Sequence, residues 1–193
     1  MNPALRAFAL LLTCFMLSGC IRMIAATSSE PVDRHHGERT LGSSIEDQAI
    51  ENKVRINLYR ASDALADARI KVVSFNGIVL LAGQVESQDQ KKQAGNIARR
   101  IRHVEQLHNE LQTSGSSSFL ARANDSWLST KVKTRLYLNG DTPGGRTKIT
   151  TVDGVVYIMG LLSRKESSAV VSAIQNVYGV QKIVKIVEYV ENP

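Results

Sequence analysis

The chain has 193 residues, a formal net charge of +6, a pI near 9.5 and two cysteines, Cys14 and Cys20. Beyond Cys20 there is no thiol, which excludes a disulfide, a cysteine metal site and a cysteine nucleophile from most of the chain. No His-Glu-x-x-His, Gly-x-Ser-x-Gly, Walker loop or Gly-x-Gly-x-x-Gly occurs, so the sequence gives no catalytic, metal or cofactor site.

Arg6 is the first charge, and an apolar run from Ala7 to Leu17 follows, broken only by Thr13. That run is too short to cross a bilayer, which takes ~20 residues, and fits the core of a secretory signal peptide. Leu17-Ser18-Gly19-Cys20 then resembles a bacterial lipobox. The resemblance implies a signal peptide over 1–19 and a mature chain starting at Cys20. The Cys20 sulfur would carry diacylglycerol and the α-amino group a further acyl chain. Two or more chains make a stable anchor where one is marginal. Residue 21 is Ile, not the Asp that favours inner-membrane retention, which points to the periplasmic face of the outer membrane. Residues 20–44 read as the lipidated end and a flexible tether, rich in Ser and Gly, with His35 and His36 as solvated loop residues.

A repeat follows. "ENKVRINLYR" from Glu51 parallels "STKVKTRLYL" from Ser129, and "RIKVVSFNGIVLLAGQV" from Arg69 parallels "RTKITTVDGVVYIMGLL" from Arg146. "IRHVEQLHNEL" from Ile101 parallels "VYGVQKIVKIV" from Val177. Each copy is ~65–70 residues, long enough for a small core of its own. The copies span 45–113 and 125–193, joined by a Gly/Ser linker over 114–124.

In chain order each copy opens with a helix, its apolar residues spaced by four: Ile50, Val54 and Leu58, then Leu128, Val132 and Leu136. Asp125 is placed to cap the second of these helices. Strands at 69–75 and 78–84 flank Asn76-Gly77, and strands at 146–152 and 155–161 flank Asp153-Gly154. Both dipeptides suit a type I′ turn. Second helices fall at about 87–102 and 164–177, and last strands at about 104–112 and 180–190. The expected fold is α+β: αββαβ twice, each with a three-stranded mixed sheet and two helices on one face. "DTPGG", Asp141 to Gly145, is the connection from helix to strand.

This order resembles the BON domain. The residues that carry the resemblance are the Asn/Asp-Gly turns, the glycine-bearing second strands "IVLLAGQV" and "VVYIMGLL", and Gly179-Val180 before the third strand; copy one has His103-Val104 there. Behind a lipobox, the pair is similar to the dual-BON-domain outer-membrane lipoproteins of Gram-negative bacteria. That resemblance implies a non-enzymatic, phospholipid-binding protein that supports outer-membrane integrity and gathers at the division site.

Copy two is the more basic, nine Lys/Arg to six Asp/Glu, against ten to nine in copy one. In the periplasm the polyanion such a surface meets is anionic lipid of the phosphatidylglycerol kind, not nucleic acid. Trp127 is the single Trp and matches Ala49 of copy one. Around the helix it falls within ~40° of Lys131 and Leu138, flanked by Thr134 and Arg135, and ~100° from the apolar stripe. These five residues form the expected phospholipid contact; the alternative is that Trp127 packs between the domains or onto its own sheet. A second class of function is a periplasmic scaffold that docks envelope proteins.

Overall fold

The computed structural model describes residues 40–114, 119–138 and 146–191, with the side chains of the middle segment described from residue 123 onward. Cys20, the signal-peptide segment, most of the tether and the Asp141–Gly145 connection lie outside the described residues.

Copy one runs α1 (Leu41–Ala61), α2 (Asp63–Asp67), β1 (Arg69–Phe75), β2 (Ile78–Val85), α3 (Gln88–Arg99) and β3 (Gln106–Thr113). Copy two runs α4 (Phe119–Leu138), β4 (Thr147–Val152), β5 (Val155–Leu162), α5 (Arg164–Ile174) and β6 (Lys182–Tyr189). The fold is α+β with two αββαβ repeats, the first carrying the additional short helix α2. Helix α1 begins at Leu41, within the segment read as tether, and α4 at Phe119, within the segment read as linker.

In each sheet the first two strands are antiparallel and the third returns parallel to the second, giving the orders β1-β2-β3 and β4-β5-β6. The hairpins turn at Asn76-Gly77, with φ of 49° and 76°, and at Asp153-Gly154, with φ of 50° and 74°. Positive φ at both positions is the type I′ turn, whose twist matches the strands it joins. The connecting helices start at side-chain caps: Ser87 Oγ accepts from Gln90 N, and Ser163 with Glu166 forms a capping box.

Each sheet buries one face under its own helices. Ile50, Val54 and Leu58 of α1 meet Val72, Val79, Leu81 and Leu111; Leu128, Val132 and Leu136 of α4 meet Ile149, Val156 and Ile158. The other faces pack on each other. Val73, Phe75, Leu80 and Ala82 of the first sheet meet Val152, Tyr157, Met159 and Ile186 of the second in a third buried cluster. The two domains therefore form one four-layered body, with helices outside and two sheets within.

The repeat makes this interface nearly two-fold. Lys71 Nζ reaches the Thr151 carbonyl at 3.4 Å, and its counterpart Lys148 reaches the carbonyl of Ser74, the counterpart of Thr151, at 3.1 Å. The symmetry breaks at the arginines. Arg69 bridges Asp125 (2.7 Å) and Asp153 (3.0 Å) across the interface, whereas its counterpart Arg146 turns back to Glu166 in its own domain. All three buried side-chain atoms left without a partner among the described residues, Asn76 Oδ1, Arg146 Nη1 and Thr151 Oγ1, come from the repeat partners of Asp153, Arg69 and Ser74.

Asp125, expected from its position to cap the helix, does not cap it. It lies well inside α4, where its carboxylate accepts from the N–H groups of Asp153 (2.9 Å) and Gly154 (3.1 Å) and so clamps the hairpin turn. The backbone donors of a tight turn need an acceptor once helices cover them, and a short side chain one helical face away supplies it.

Candidate functional site

Helix α4 presents the five residues singled out in the sequence in two ways. Trp127 is 61% exposed and Leu138 79% exposed, and Thr134 and Arg135 also face solvent. Lys131 is half-buried, its ammonium 5.2 Å from the centre of the Trp127 ring. Leu128, Val132 and Leu136 on the opposite side are the buried ones, so Trp127 packs neither between the domains nor onto its own sheet.

A residue that the helix pattern could not supply completes the cluster. Tyr178, in the turn between α5 and β6, is 90% exposed, and its ring centre lies 5.6 Å from the Lys131 ammonium. One cation thus sits between two rings, each contact worth about 0.5–1 kcal/mol at an exposed site. The turn comes this close because Gly179 takes φ +102° and lies flat on α4: a Cβ there would stand 3.5 Å from Leu128 Cδ1. The signal was present in "VYGV", where an exposed aromatic precedes the glycine that opens the last strand.

The first domain lacks the cluster. Ala49, Lys53 and Arg102 occupy the repeat positions of Trp127, Lys131 and Tyr178, so no ring is present. His103 replaces Gly179 and keeps the left-handed conformation at φ +69°, with its Nδ1 2.8 Å from Glu46 Oε1. That carboxylate comes from α1, far away in sequence.

Two exposed aromatic rings with polar edges, one on α4 and one in the turn beside it, flank a basic group, an arrangement chemically compatible with the boundary between water and lipid. The cluster itself, Trp127, Lys131 and Tyr178, contains no nucleophile–base pair. Among the described residues no group of three or more His, Cys, Asp or Glu is placed to hold a metal ion. Among the same residues no helix is long and apolar enough to cross a membrane.

The folds and the tandem repeat define the class. Residues 46–115 and 124–191 each match the BON domain, and the chain belongs to the BON domain family. It is 29% identical, over 99% of both chains, to the outer membrane lipoprotein DolP of Haemophilus influenzae. It is 32% identical to a 21 kDa hemolysin of Actinobacillus pleuropneumoniae, over 82% of this chain and 85% of that one. With the osmotically-inducible protein Y of Escherichia coli it shares 28% identity over 74% of this chain and 72% of the other. Two BON domains and a match along nearly the whole length support a dual BON-domain outer-membrane lipoprotein.

Proposed function

We propose that this protein is anchored by acyl chains on Cys20 to the periplasmic face of the outer membrane, and that its second BON domain binds anionic phospholipid. It works without catalysis, by holding a folded body against a lipid surface, and in this way supports outer-membrane integrity, with its place at the division site. The observation that carries the reading is the Trp127–Lys131–Tyr178 cluster: exposed, cationic, aromatic and confined to one of two otherwise matching domains. Thr134, Arg135 and Leu138 extend it along the same face of α4. The rings would sit at headgroup level, while Lys131 and Arg135 add about 1 kcal/mol each near an anionic surface.

Co-sedimentation with phosphatidylglycerol vesicles tests this. Trp127→Glu should abolish binding with unchanged circular dichroism, and Ala49→Glu at the matching place in the first domain should leave it close to wild type. Full binding by the Trp127 variant would remove the assignment and favour a docking scaffold for envelope proteins.

A further inference from the structure

The first domain carries a concave site that the lipid face of α4 does not explain. Where the C-terminal part of α1 passes α2 and the start of β1, a groove of about 540 Å³ opens. Its floor is apolar, made by Leu58, Leu65 and Ile70, with Ile56 half exposed on its wall. The volume and lining fall in the range of small-ligand sites, which pair apolar walls with a few polar groups.

The charged residues that line it are both arginines, Arg55 and Arg60. Arg55 is fixed at the rim: its Nη2 bonds Glu51 Oε2 at 2.7 Å and the Val72 carbonyl at 3.1 Å. Glu51 does not neutralise it, because the same carboxylate also takes Lys148 Nζ at 2.6 Å, so one anion faces two cations. Arg60 is exposed and forms no hydrogen bond or ion pair with a described residue. The acidic residues of α2, Asp63 and Asp67, are exposed and stand outside the lining.

Tyr59 gives a second, independent reason. It lines the groove, yet is 71% exposed, so the core does not require it. The repeat nevertheless keeps it: Tyr137, 79% exposed, lines a groove at the matching end of α4 with Leu136 beneath it and Lys133 beside it, the counterparts of Leu58 and Arg55. The copies diverge at the Trp127 position and agree here, on an exposed tyrosine beside a basic residue above a buried leucine.

We infer that the Arg55–Tyr59–Arg60 groove binds a single-tailed anionic amphiphile, its alkyl chain along Leu58, Leu65 and Ile70 and its acidic head between the two guanidinium groups. A groove takes one chain at a time, whereas a bilayer meets side chains that stand out into solvent, such as Trp127. The site is thus distinct from the proposed phospholipid surface and does not depend on it. The edge of β1 beside it is already closed to an added strand, since Arg55 takes the Val72 carbonyl, Glu51 the Ser74 N–H and Lys148 the Ser74 carbonyl. An acidic peptide joining the sheet there is therefore not the fitting occupant.

The test is methyl NMR on the full chain, titrated below micelle-forming concentrations with dodecanoate, with lysophosphatidylglycerol and with dodecyltrimethylammonium. Dodecanoate or the lysophospholipid should shift the Ile56, Leu65 and Ile70 methyls to saturation, and whichever binds tighter identifies the headgroup. The cationic amphiphile should bind at least tenfold more weakly. Arg60→Glu should weaken the anionic probe tenfold or more and Ile56→Glu should abolish its binding, both with native circular dichroism. Trp127→Glu should leave these shifts unchanged, which separates this site from the phospholipid surface. Equal binding of both headgroup charges, shifts confined to the Tyr178 turn, or full binding by Arg60→Glu would overturn the inference. Should Ile56→Glu unfold, the charge series and Arg60→Glu still decide.

Discussion

Asp47 and Asp125 stand at the same position of the two repeats and hold the same part of the fold. Asp47 takes the N–H groups of Asn76 (2.8 Å) and Gly77 (3.0 Å), as Asp125 takes those of Asp153 and Gly154. Beyond the turn they part. Asp47 accepts from Ser74 Oγ inside its own domain, while Asp125 accepts from Arg69 of the other domain. The second clamp thus joins hairpin and interface through one carboxylate.

Asp125→Ala should therefore cost more than the loss of a helix cap. It orphans two turn donors and takes one carboxylate away from the Arg69 guanidinium at the interface, which together cost of order 3 kcal/mol. Urea unfolding measures it. A loss under about 1 kcal/mol would mean that water replaces the carboxylate and that the clamp is incidental.

Gly83 sets the sharpest steric limit. It holds φ +133° opposite Ile70, and a Cβ there would lie 1.9 Å from the Arg69 carbonyl oxygen. Gly83→Ala should destabilise by about 3 kcal/mol or more, because backbone must move and the left-handed conformation is strained. Gly42→Ala, in the first turn of α1 with its nearest atom 3.7 Å away, should be neutral or mildly stabilising. Similar melting temperatures for the two variants would contradict this.

Elements that depend on short-range pattern were legible in the sequence. Spacing by four placed Ile50, Val54 and Leu58 under the sheet, and Asn-Gly and Asp-Gly fixed both hairpins. The exposed side of α4 was legible too, since a helix wheel separates Trp127 from Leu128. What the pattern could not give depends on contacts distant in sequence. The strands are apolar on both faces, Val72 beside Val73 and Leu80 beside Leu81, which signals a second buried face without saying what covers it. Its cover is the other domain, held by Arg69 and Lys148. Tyr178 was missed for the same reason: it comes from a different element, and only the fold brings it to Lys131. Asp125 was misplaced because a short acidic residue near a helix start has the same sequence signature whether it caps or reaches across.

Cys20→Ala should leave the protein without acyl chains and release it from the outer-membrane fraction. The reason is the lipobox-like Leu17-Ser18-Gly19-Cys20. Cell fractionation with metabolic fatty-acid labelling reads both consequences. Unchanged outer-membrane recovery of the unlabelled variant would show that some other feature holds the protein there.

The interface itself should respond to alkali through Tyr157. This residue is buried in the cluster between the sheets, and burial first, then the charges of Glu110 and Asp153, pushes its phenol up to about 12. In the unfolded chain the same phenol titrates near 10. The folded state thus favours the protonated phenol. Its contribution is complete below pH 10 and is lost as the pH rises through 12, by of order 2 kcal/mol. Lys71 acts in the opposite sense: partial burial of its ammonium holds it below the ordinary lysine range, against the pull of Asp125, so its deprotonation favours the folded state as pH rises. Wild type and Tyr157→Phe share that contribution, and their difference isolates the phenol. Denaturant unfolding at pH 8, 10 and 11 should show the phenylalanine variant gaining on wild type with each step. Parallel curves across that range would mean that the phenol stays protonated in both states or meets solvent in the folded one, and that the sheets are not held against alkali by this side chain.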